Sequence, residues 1–113
     1  MNWSDADSKL IGAVYSNRFA ALQTLVREHG ANVNVFCDVN MNTLLHYAAR
    51  EGFAECVAQL CLLNANLFAR NLRMQTPLDA AQEAKALVCV QLLQSFATAH
   101  TIVSLSENVS EPL

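Results

Sequence analysis

Glycine and proline are scarce in this chain, 3 and 2 among 113 residues. So few breakers, beside apolar residues at helical spacing, favour an all-helical chain. Basic clusters are absent too. With 7 basic against 10 acidic residues the net charge is −3, which argues against nucleic acid or an anionic membrane surface as partner. No window approaches the roughly 18 apolar residues of a membrane span. The opening Met1-Asn2-Trp3-Ser4-Asp5-Ala6-Asp7 has neither a basic region nor an apolar run, so a signal peptide is not expected there. The 4 cysteines, at 37, 56, 61 and 89, have no disulfide-framework or zinc spacing. Free thiols in a cytoplasmic or nuclear protein are expected. A glycine-rich phosphate loop, a nucleophile elbow and a zinc-binding helix motif are all missing, so no catalytic, cofactor-binding or metal-binding residue is assigned and the chain is read as a non-enzyme.

Hydrophobic residues make up 53% of the chain, well above what disorder tolerates, and the length suits one domain. Leu10, Ile11, Val14 and Tyr15 line a first helix that begins near Asp7, capped by Ser8 or Asp7. After a break at Ser16-Asn17-Arg18, Phe19, Leu22, Leu25 and Val26 line a second helix, which Gly30 ends in a left-handed conformation. Phe36 to Asn42 forms a projecting turn. The pattern then restarts. Thr43-Leu44-Leu45-His46-Tyr47-Ala48-Ala49 opens a helix broken by Gly52, and Cys56, Val57, Leu60 and Cys61 give one apolar stripe on the next. Asn64 stands where the first copy has Gly30, and it too tolerates left-handed backbone. Thr76-Pro77-Leu78-Asp79-Ala80-Ala81 opens a third copy 33 residues after Thr43, with proline where a helix start has no use for an amide proton. Past Phe96 the pattern fades. Ile102, Val103 and Leu105 are expected to pack back on the last helix, with Ser106 to Leu113 as a mobile polar tail.

The period and these motifs resemble the ankyrin repeat. Thr43 to Ala49 with Gly52 matches its T-P-L-H-x-A-A start except for the proline. Thr76 to Ala81 matches with Asp79 in the histidine place, and Gly30-Ala31-Asn32-Val33-Asn34 matches the exit of a copy. The resemblance implies an all-α ankyrin-repeat solenoid of stacked helix-turn-helix units with projecting β-turn loops. One domain over 1–105 would hold copies at about 8–39, 40–71 and 72–98, then a packing segment, before the tail at 106–113. Met41 and Met74 stand where the family usually has glycine, and methionine resists positive φ, so reshaped or mobile turns are expected.

The resemblance also implies the work, which is binding another protein through turn tips and the exposed side of the first helices. Carried over, the tips are Val39, Asn40 and Asn42, then Leu72, Arg73 and Gln75. The helix positions are Arg50 and Glu51, then Gln82 and Glu83, with Tyr47 close by. Val39 and Leu72 have no core role at a tip. Arg50-Glu51 alone would be a solvated face, so only the set as a whole is evidence. An adaptor or stoichiometric inhibitor, monomeric on its own, is the leading reading. His46 is expected to be structural, bonded to the motif threonine and a neighbouring backbone. Two other readings stand beside it. One is a thiol redox sensor worked by Cys37, the one cysteine expected to be exposed. The other is a terminal piece of a larger repeat assembly. The ending Glu111-Pro112-Leu113 carries the acidic-x-hydrophobic pattern that some carboxylate-capturing domains read.

Overall fold

A computed structural model describes the backbone of residues 3–109 and the side chains of residues 3–99. It contains α1 (Asp5–Tyr15), a short 3-10 turn (Phe19–Ala21), α2 (Leu22–Arg27), α3 (Leu44–Glu51), α4 (Ala54–Leu62), α5 (Pro77–Glu83) and α6 (Leu87–Val109). Successive helices pair as α1 with α2, α3 with α4 and α5 with α6. The pairs then stack, α3 between α1 and α5, and α4 between α2 and α6. This is the two-layered solenoid that the resemblance implies.

Each pair starts in the same way. Ser4, Thr43 and Thr76 cap α1, α3 and α5, and each side chain accepts from the backbone N–H three residues on, at Asp7, His46 and Asp79. Those three side chains reach back to the cap's own N–H, so two orphan donors are satisfied at every start, each cap contributing about 1 kcal/mol. The first start corrects the expected one: Ser4 is the cap and Asp7 its reciprocal partner, so the helix begins two residues earlier. Asp7 is also used twice, since its other oxygen accepts from Asn32 N–H at 2.8 Å and ties the first helix to the exit of its own copy.

Left-handed residues set the breaks and exits. Asn17, Gly52 and Lys85 turn the chain between the helices of each pair, and Gly30 and Asn64 turn it out of α2 and α4. The third copy has Ala97 where the second has Asn64. Nothing there favours left-handed backbone, and α6 runs on to Val109. The expected return of 102–105 onto the last helix is therefore corrected at the backbone, which stays helical through 106–109. The remaining tail, with Glu111-Pro112-Leu113, lies outside the described residues. The second helix of the first copy is also corrected, being split into the 3-10 turn and α2.

The core runs unbroken through the stack: Leu10, Val14, Leu22, Leu44, Leu45, Val57, Leu60, Cys89 and Leu93 are all buried. Ala48, Ala49 and Ala81 are buried where α3 and α5 meet. Their small side chains let helix axes approach to about 8–10 Å.

Candidate protein-interaction surface

Two turns project from the stack. In the first, Met41 N–H closes on Asp38 C=O at 3.2 Å. In the second, Met74 N–H closes on Asn71 C=O at 2.9 Å. Both methionines then take left-handed backbone, φ 59° and 61°. This overturns the expectation that methionine would refuse positive φ and leave the turns reshaped. Hydrogen bonds outweigh the local strain. The Asp38 carboxylate accepts from Asn40 N–H, Asn42 N–H and the Asn42 amide. Asn71 Oδ1 accepts from Arg73 N–H and Gln75 N–H. The turns are also joined to each other, Leu72 N–H to Asn40 C=O at 2.9 Å and Asn71 Nδ2 to Asn42 Oδ1 at 2.8 Å.

That last bond places Asn42. It is buried between the turns and holds one against the next, reaching the surface only where it borders a hollow with Arg50 and Arg73. A second brace lies just behind. His46 Nδ1 accepts from Thr43 N–H at 3.1 Å. A backbone N–H can only donate, so Nδ1 carries no proton, and Nε2–H donates to Gln75 C=O at 2.8 Å. The neutral ring is thus fully used in structure. Burial holds the His46 pKa below its ordinary value, against the opposing pull of the Gln75 carbonyl.

In front of these braces Val39 is 80% and Leu72 61% exposed. Asn40, Arg50, Asn71, Arg73, Gln75 and Glu83 border a depression of about 170 Å³. Glu83 accepts from Gln75 Nε2 at 2.6 Å and lies 3.7 Å from Arg73. Arg50 approaches Glu51 at 3.8 Å and sits over the Tyr47 ring, 5.5 Å from its centroid. Gln82 is exposed on α5. The structure thus brings Asn40, Asn42, Arg50, Arg73, Gln75 and Glu83 around one hollow.

Tyr15 was missed as a neighbour of this surface. Its ring stacks on Tyr47 at 4.2 Å between centroids, and its O–H donates to Cys37 C=O at 3.3 Å. Burial, then the Cys37 contact, push its phenol pKa up. The sequence signal was a tyrosine on the first helix of each of the first two copies, the last residue of α1 and the fourth of α3, but Tyr15 was assigned to the core face of α1. A larger hollow of about 480 Å³, lined by Leu62, Leu67, Phe68 and Phe96 among others, lies between the exit of α4 and α6. None of the carried-over residues borders it.

The family model for ankyrin repeats (3 copies) matches residues 10–102. The chain belongs to the ankyrin-repeat family. It is similar to the palmitoyltransferase ZDHHC17 of Danio rerio, 31% identical over 85 residues that cover 75% of this chain and 14% of that protein. It is also similar to the crystal structure of the human ASB11 ankyrin repeat domain, with a TM-score of 0.67 and 31% identity over 77% of this chain and 38% of that one. The chain therefore spans well under half the length of either. Ankyrin repeats generally mediate protein–protein interactions, and the fold is typically non-enzymatic. No described helix is long and apolar enough to cross a membrane. No cluster of three His, Cys, Asp or Glu stands together among the described residues.

In this ankyrin-repeat chain the thiols are placed differently from expectation. Cys37 was to be the exposed one, yet all four cysteines are buried. Val35 and Cys37 face inward while Phe36 faces out, because the segment is extended and bridges to Thr43. Burial pushes every thiol up, Cys56 to about 11 and Cys61 to about 12, and Cys37 and Cys89 in the same direction. Thiolate, the reactive form, is disfavoured at neutral pH. A disulfide-exchange reagent at neutral pH should react with all four cysteines roughly a hundredfold more slowly in the folded chain than in urea. Rapid labelling of Cys37 alone, located by peptide mass, would contradict this placement and revive the sensor reading.

Proposed function

We propose that this chain is a protein-interaction module that serves as an adaptor or as a stoichiometric inhibitor covering a partner's surface. The observation that carries the reading is the pair of exposed apolar tips, Val39 and Leu72, standing beside the polar hollow of Arg50, Arg73 and Glu83. Side chains that contribute nothing to the core gain their burial from a partner. A face of this kind can offer on the order of 800 Å² to each partner, enough for a specific interface whose strength rests on a few anchors. The buried free thiols suit a reducing compartment, cytoplasm or nucleus.

The test is an affinity pull-down and titration with Leu72→Ala/Arg73→Ala beside the wild type. The double variant is expected to lose binding. Its melting temperature should stay within about 2 °C of the parent, since Leu72 is exposed and the Arg73–Glu83 pair is open to solvent. Full binding by the variant would place the partner on another face.

A further inference from the structure

On the first copy a hollow of about 450 Å³ opens between α1 and α2, lined by residues of that copy alone. Its less exposed lining includes Gly12, Ala13 and Leu25, and its exposed lining includes Lys9, Arg18 and His29. Among the described residues none of these three has a carboxylate within 4 Å. No acidic side chain lines the hollow. In a chain of net charge −3 this is a local excess of basic groups around an apolar recess.

The repeat register shows what the three basic residues replace. Counted from the left-handed residue between the helices of each pair, Lys9 stands where the second copy has Leu44 and the third Pro77. Arg18 stands where they have Phe53 and Ala86. Counted from the left-handed exit, His29 stands where the second copy has Leu63. Leu44 and Leu63 are buried, and Phe53 packs half-buried against the core. Positions that serve the core in the inner copy are thus basic at the end of the stack. A terminal copy needs a polar outer side for solubility, but solubility alone does not call for one sign of charge around an apolar recess.

Gly12 gives an independent sign. It lies inside α1, where glycine destabilises a helix relative to alanine. A Cβ there would meet nothing within 4 Å, so no contact within the chain requires glycine. Its bare backbone lets something from outside approach α1 closely.

We propose that this hollow docks an amphipathic helix of another protein, one whose apolar stripe is bordered by acidic side chains. The recess between two helices is the kind of groove into which a third can lay its ridge of side chains. Lys9 and Arg18 meet the carboxylates, which orients the helix and rejects basic competitors. This surface is separate from the turn tips, and its occupant does not depend on theirs.

The test titrates a labelled synthetic peptide into the full chain. The peptide is an amphipathic helix with a leucine stripe between glutamates, run beside the same peptide with lysine for every glutamate. Fluorescence anisotropy should show the acidic peptide binding at least about tenfold more tightly than the basic one. Amide shifts should centre on Gly12, Thr24 and Leu25. Lys9→Glu/Arg18→Glu should reverse the preference. Gly12→Leu should weaken the acidic peptide at least about tenfold while melting no lower than the wild type, because leucine suits a helix and its Cβ meets open space. Leu72→Ala/Arg73→Ala should bind the acidic peptide as the wild type does. No binding, equal affinity for the two peptides, shifts centred on the turn tips, or full binding by Gly12→Leu would each overturn the proposal. So would laurate shifting the same amides where the peptide does not, since the occupant would then be a fatty acid. A concentration-dependent dimer that the charge reversal abolishes would overturn it as well, since the face would then belong to a second copy.

Discussion

Leu45→Asp unfolds the whole array, not its middle copy alone. Leu45 is 1% exposed and belongs to α3, the helix held between α1 and α5. Truncating a buried leucine costs about 2–5 kcal/mol. An unpaired carboxylate in the same place adds several kcal/mol of desolvation, on the order of the total 5–15 kcal/mol that holds a domain together. The architecture does not confine the damage. Each pair buries its apolar face only against its neighbours, and three copies are near the minimum for a continuous core. With the middle copy gone, the outer two are single pairs that cannot stand. Circular dichroism should show a large loss of helix and no cooperative melt. A soluble Leu45→Asp chain with the wild-type helical signal would refute this. Leu45→Met, which conserves volume, should cost less than about 1.5 kcal/mol.

His46→Ala is expected to cost about 2–4 kcal/mol, because it strips three groups at once: the Thr43 N–H, the Thr43 hydroxyl and the Gln75 carbonyl. Acid should expose the same contact. The folded chain holds His46 below its ordinary pKa of 6.5, whereas the unfolded chain takes up the proton near that value. The folded state then binds fewer protons, so stability is complete above about pH 6.5 and falls as the pH drops toward the depressed folded value, by at most about 1.4 kcal/mol per pH unit. Asp38 acts in a lower window. Burial pushes its carboxyl up, but hydrogen bonds from Asn42 and Asn40, with Arg50 nearby, hold it below its ordinary 3.8, so its contribution is lost only in stronger acid. Urea midpoints at about pH 7.5 and about pH 5 separate the two. The wild type should weaken between them, and His46→Gln should be weaker at the higher pH and nearly flat. Equal slopes would place the acid sensitivity elsewhere.

Much of this surface was legible in the chain because it is written locally and twice. Thr43 with His46 and Thr76 with Asp79 announce helix starts by short-range hydrogen bonding. Gly52, Gly30 and Asn64 announce turns by the backbone they tolerate. Reading failed where a residue's fate depended on another copy. Asn42 looks like a turn-tip amide until Asn71, 29 residues away, takes its oxygen. Cys37 looks exposed on a turn until the bridge from Phe36 to Thr43 turns it inward. Ser4 was passed over because the apolar spacing of α1 begins later than its cap.

From the sequence alone come the period, the helix pairs, their caps and breaks, and the buried stripe that makes the pairs stack. All of these follow from interactions within a few residues and from apolar spacing. Tertiary structure decided which tip residues face out, that two methionines hold left-handed turns, that Tyr15 stacks on Tyr47, and that α6 overruns the stack. Those outcomes depend on contacts between copies, where hydrogen bonds and packing outweigh the preference of any single residue.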